Sequence, residues 1–76
     1  MPRYFFNVFY GPSNVDVIGE DLPDEQAAWH EGTRVAGELF DDLDGGFQQG
    51  QEWRLEITDD AKNLLYVIRI SGEQAK

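Results

Sequence analysis

Cysteine is absent from this 76-residue chain, and histidine occurs once. The first absence excludes a disulfide framework and a thiolate zinc site. The second excludes an imidazole-rich metal site within one chain. Serine occurs only at Ser13 and Ser71, in segments that read as loop and tail, and no nucleophile accompanies His30. Positive charge is scarce: six Lys and Arg stand against 15 Asp and Glu, for a net charge of −9. That charge repels phosphate backbones and argues against general nucleic-acid binding. No apolar run approaches the roughly 20 residues that span a bilayer. The start, Tyr4-Phe5-Phe6-Asn7-Val8, lacks the long apolar core and small-residue cleavage site of a signal peptide. There is no glycine-rich phosphate loop, no CxxC and no basic run. Asp41 to Glu52 has the length of a calcium loop, but Leu43 and Gly45 occupy positions that need oxygen ligands. Together these absences predict a cytoplasmic, non-enzymatic protein with no cofactor, no metal site and no membrane segment.

What is present is one domain, residues 1–76, organised around a helix over 24–43. Ala28, Gly32, Val35, Ala36, Leu39 and Leu43 fall on one stripe at 3.6-residue spacing, with Trp29 and Phe40 on its shoulder. Leu22-Pro23 blocks helix upstream and Asp24 supplies a cap. Asp44-Gly45-Gly46 supplies the stop. Asp41, Asp42 and Asp44 oppose the helix dipole at that end. Gly32 lies on the core stripe and predicts a close approach to the sheet.

The flanking segments alternate with period 2. Arg3–Tyr10 reads as a strand rich in aromatics. Gly11-Pro12-Ser13-Asn14 reads as a loop, and Val15–Leu22 as a weaker edge strand interrupted at Gly19. Trp53–Thr58 and Leu64–Ile70 read as strands joined by a turn at Asp59-Asp60-Ala61-Lys62-Asn63. Residues 71–76 read as a frayed tail. The order ββαββ predicts an α+β two-layer sandwich: a four-stranded, mainly antiparallel sheet with the helix on one face. Antiparallel neighbours throughout give the strand order 2-1-3-4, with the first and last strands side by side in parallel as the alternative.

The helix-facing set is then Tyr4, Phe6, Val8, Tyr10, Trp53, Leu55, Ile57, Tyr66, Ile68 and Ile70. The other face receives Arg3, Phe5, Asn7, Phe9, Arg54, Glu56, Thr58, Leu65, Val67 and Arg69. Phe5, Phe9, Leu65 and Val67 make an apolar strip, and Arg3, Arg54 and Arg69 place three of the six positive charges around it. An apolar strip on an open face points to association. The candidate interaction face is Arg3, Phe5, Asn7, Phe9, Arg54, Leu65, Val67 and Arg69. Its expected partner is a second copy, in a homodimer, or another protein. A competing reading makes the domain a nucleic-acid-binding regulator that stacks single-stranded bases on Phe5 and Phe9 beside the arginines. The loop carrying Phe47 is a third possible cover for this face. Short, cysteine-free domains are marginally stable, which favours self-association.

Three segments carry a family resemblance. Met1-Pro2-Arg3-Tyr4-Phe5-Phe6-x-Val8 resembles the opening of a group of short bacterial proteins, mostly alpha-proteobacterial, catalogued as a domain of unknown function. Leu22-Pro23-Asp24 followed by Ala27-Ala28 resembles that group's helix entry, and Trp53–Asp59 its late strand. The family often carries histidine where this chain has Asn7. The resemblance implies a small bacterial protein and supplies no catalytic residues.

Overall fold

The computed structural model describes residues 2–11 and 13–75. Met1, Pro12 of the expected loop and Lys76 of the expected tail lie outside them. The elements are β1 (Arg3–Phe9), β2 (Ser13–Asn14), β3 (Glu20–Asp21), α1 (Glu25–Asp41), β4 (Glu52–Asp59) and β5 (Leu64–Ser71). The main path of the sheet is β2-β1-β4-β5, antiparallel throughout, and β3 pairs with β1 beyond β2. This is the α+β, ββαββ arrangement of an open four-stranded sheet and one helix, with the fourth position built from two fragments.

The helix begins where the chain chemistry asks it to. Asp24 is extended and its carboxylate accepts the Ala27 amide at 2.9 Å, satisfying one orphan donor of the first turn. The helix ends at Asp41, two residues before the expected Leu43. Its last turn holds no basic residue, so the dipole finds no compensation there. The chain continues in tight turns, with Leu43, Asp44 and Gly46 amides donating to Phe40, Asp41 and Leu43 carbonyls. Leu43 still reaches the core.

Alternation places the sheet's helix face as read from the sequence. Tyr4, Trp53, Leu55 and Ile57 are buried there against Ala28 and Ala36. Full burial of side chains of this size contributes about 1.5–3 kcal/mol each. Gly32 explains the close approach: a Cβ at this position would run into Ile57 Cδ1. The loop carrying Phe47 goes to the helix side, not to the open face. Phe47 packs on Tyr10 and Phe40, ring centroids 5.6 and 5.3 Å apart. The Gln48 amide donates to the Tyr10 hydroxyl at 3.2 Å. The Gly50 amide donates to the Gly72 carbonyl at 2.8 Å, which ties the start of the expected tail to the same loop.

Two departures matter for the surface. In β5, Tyr66 faces Ile57 but Leu64 faces Thr58, so Leu65 is an unpaired extra residue. A bulge of this kind puts two successive side chains on one side. Leu65 therefore joins Tyr66 against the Tyr4, Ala28 and Ile57 cluster, which corrects its placement on the open face. Leu64 takes that place and is exposed. The second departure is the expected strand Val15–Leu22. Only Glu20 and Asp21 of it pair with β1, together with Ser13 and Asn14 from the expected loop. Residues 15–19 swing out between the two fragments.

Candidate functional site

That outward segment is held by one carboxylate. Asp16 accepts backbone amides from Phe6 at 3.2 Å and from Ile18 and Gly19 at 3.1 Å each. Its own amide donates to Asn7 Oδ1 at 2.9 Å. The carboxylate thus stands in for a strand: it satisfies the Phe6 N–H that a ladder partner would otherwise take. Burial pushes the Asp16 pKa up, but the amides of Gly19, Phe6 and Ile18 and the charge of Arg3 outweigh it and hold the carboxyl below its ordinary value. Gly19 turns the chain at φ 74°, and a Cβ there would strike Arg3 Cγ and the Phe5 ring at 2.8 Å. Arg3 closes the knot by donating to the Ile18 carbonyl at 2.5 Å and lying 3.3 Å from the Asp21 carboxylate.

With Asp16 turned in, the aliphatic side chains beside it turn out. Val15, Val17 and Ile18 are 59%, 83% and 75% exposed. They form a ridge between two grooves. On the helix side a shallow groove of about 300 Å³ runs between the ridge and Val35 and Leu39. On the open face a larger one, about 460 Å³, has Phe5, Asn7 and Thr58 as its floor. Val15 and Val17 wall it on one side, and Asp59, Asp60 and Lys62 on the other. Asp59 is fixed in that wall: its carboxylate accepts the Ala61 and Asn63 amides at 2.9 Å and the Asn63 side-chain amide at 3.0 Å. Those bonds hold its pKa below the ordinary value. Asp60 and Lys62 are exposed.

The remainder of the open face is a charge ladder. The Arg54 guanidinium lies 4.7 Å from the centre of the Phe9 ring. Its Nε is 3.0 Å from Glu56 Oε2, and its NH1 3.5 Å from Glu52. The Nε contact is an ion pair without hydrogen-bond alignment. Arg69 extends the ladder, with Nε 3.7 Å from Glu52. Val67 lies across from Glu56 and is half-buried.

The eight residues of the candidate face therefore separate. Phe5 and Asn7 meet at the groove floor. Phe9 is capped by Arg54. Arg3 is spent on the Ile18 and Asp21 contacts. Val67 and Arg69 lie on the far strand, and Leu65 is on the opposite side. The ridge of Val15, Val17 and Ile18 was missed. The signal for it was Asp16-x-x-Gly19, since an aspartate commonly bonds backbone amides two and three residues on. The helix carries its own ion pairs, Arg34 to Glu31 and Glu38 at 2.6 and 2.5 Å. Glu20 of β3 meets Glu31 there; burial first, then the Glu31 charge, pushes the Glu20 carboxyl up. His30 is exposed and lines neither groove. Among the described residues, no group of three or more His, Asp or Glu is placed to hold a metal ion. No helix there is long and apolar enough to cross a membrane.

A family model described as "Domain of unknown function (DUF6894)" matches residues 3–71. No curated protein and no solved structure matches the chain. The matched span opens on the first residue of β1 and closes on the last of β5, so it takes in the whole sheet, the ridge and both grooves. The chain belongs to the DUF6894 family.

Proposed function

We propose that the domain is a non-enzymatic protein-interaction module that works through the Phe5 end of its open sheet face. The observation that carries this reading is the apolar ridge of Val15, Val17 and Ile18 standing in water beside a groove floored by Phe5. Exposing large aliphatic side chains in a row has no benefit to an isolated fold. Asp16 holds them in that position through the Phe6 backbone and so presents them on a rigid base.

The groove's chemistry selects its occupant. Its floor and one wall take an apolar side chain. Asp59 and Asp60 outnumber Lys62 on the other wall, and in a chain of net charge −9 they favour a positively charged neighbour. The partner is therefore a protein segment with an apolar anchor next to lysine or arginine. Nucleic acid suits the face less well. Phe9 is covered by Arg54, and Arg54 and Arg69 are already paired with glutamates, which leaves little for phosphates to neutralise.

Selection of a displayed random peptide library on the immobilised domain tests this reading. The expected result is enrichment of peptides that combine a large apolar residue with an adjacent Lys or Arg. Val17→Asp and Phe5→Ser are expected to abolish their binding. Enriched peptides that bind both variants as well as the native chain would overturn it, as would a selection that yields no such enrichment.

A further inference from the structure

The two edges of this sheet are unequally protected. At the β1 edge, partners are two-residue fragments, Asp16 blocks the Phe6 amide, and Glu20 and Asp21 line the rim. These are devices that prevent another strand from docking. The β5 edge has only a bulge at Leu65, near its start, and one charge, Arg69. It runs eight residues, Leu64–Ser71, with no proline, no glycine and no acid. It ends the strand order, so its outer side pairs with nothing among the described residues. Antiparallel alternation fixes which groups are free. Phe6 N–H points away from β4, so Phe5, Asn7 and Phe9 bond to β4. Following the registers across β4, the N–H and C=O groups of Val67 and Arg69 point outwards from β5.

The side chains along this edge match the backbone. Trp29 overhangs it from the helix, its ring centroid 5.1 Å from that of Tyr66 and its surface 43% exposed. Leu64 at the start of the strand is 54% exposed. Tryptophan, tyrosine and arginine are the residue types that anchor protein interfaces. Charge favours this edge over the others as the place for a second copy: residues 61–72 carry only Lys62 and Arg69 and no acid, in a chain whose net charge is −9. A second copy meets less repulsion along β5 than along the acidic helix or the β1 edge.

We propose that two copies of the chain pair antiparallel through β5, joining their sheets into one. A two-fold axis normal to the sheet puts both helices on one side and both open faces on the other. Each Trp29 then covers the junction from the helix side. This inference stands apart from the peptide-binding reading, because neither Phe5 nor Val17 takes part in it.

Sedimentation equilibrium over a concentration series, with amide hydrogen exchange on the same samples, tests the pairing. The expected result is a mass that rises from 8.7 kDa to twice that value. The Val67 and Arg69 amides are expected to become protected over the same concentration range. Trp29→Ala weakens the dimer by about tenfold or more. Arg69→Pro removes an outward donor from an edge strand, where proline is tolerated, and abolishes the dimer while far-UV circular dichroism stays native. A monomer at all concentrations overturns the proposal. So does a dimer whose Val67 and Arg69 amides exchange freely, or one that survives in folded Arg69→Pro. Should that variant fail to fold, the native amides and Trp29→Ala decide. A monomer that still selects peptides at the groove refutes the pairing alone.

Discussion

Strand β4 shows two ways of occupying a sheet surface. On one side Trp53, Leu55 and Ile57 are 0–2% exposed and touch other side chains all round. On the other, Glu52, Arg54 and Glu56 form ion pairs within reach of water. The first side is specified by volume. An added or missing methyl group has nowhere to be absorbed, because packed interiors do not flow. The second is specified by charge, and exposed pairs of this sort contribute little. Fold stability thus concentrates on the helix side, and the open side is free to change.

The sharpest way to break this contrast is on the packed side. Leu55→Ala is expected to cost about 2–5 kcal/mol, read from the urea midpoint, against a total that is small for a domain of this length. Next comes the Asp16 knot at the boundary between the two sides. Asp16→Ala should cost about 1–2 kcal/mol at pH 7 through lost amide bonds. The sign with pH follows from the lowered carboxyl pKa. The ionised group's contribution is present above the ordinary aspartate value of 3.8 and is lost as pH falls through the folded value. The gap between the native chain and Asp16→Ala should therefore narrow in acid; a constant gap would show that the charge is not the holding element.

A glycine pair separates packing from propensity. Both residues sit in α1, and alanine would gain about 1 kcal/mol of helix preference at either. Gly37 has open space around it, so Gly37→Ala is expected to raise the melting temperature. At Gly32 the new Cβ meets Ile57, which is fully buried and has no room to yield. Gly32→Ala is expected to lower the melting temperature in spite of the same propensity gain. The smallest effect belongs to the open side. Arg54→Ala should change stability by less than about 1 kcal/mol in a denaturant titration.

The strong periodicities carried most of the architecture. Tyr4, Phe6 and Val8 against Phe5, Asn7 and Phe9 told the two faces of β1 apart. The helix stripe was legible because Ala28, Gly32 and Ala36 recur at one spacing. What escaped was wherever a single residue broke a period. One unpaired position at Leu65 exchanged the faces of Leu64 and Leu65, and no local pattern marks a bulge in an otherwise continuous apolar run. Val15 to Ile18 looked like a strand because β-branched residues favour strands. The tertiary contact from Asp16 to the Phe6 amide decided otherwise. The candidate site was legible only at Phe5 and Asn7, because the rest depends on which residues the Asp16 loop brings beside them.

The place of β1 in the sheet also orders the folding of the chain. It precedes its long partner, β4, by 45 residues at the Phe9–Arg54 end of the register. Pairing over such a separation requires a large loop closure. The β4–β5 hairpin closes over a four-residue turn clasped by Asp59 and Asn63, so it is expected to form before β1 adds to it. Substitutions at Asn63 should slow folding, whereas Phe6→Leu should mainly speed unfolding, a division that chevron kinetics resolve. During synthesis the aromatic strand β1 would have only the two-residue fragments β2 and β3 to pair with until β4 had emerged.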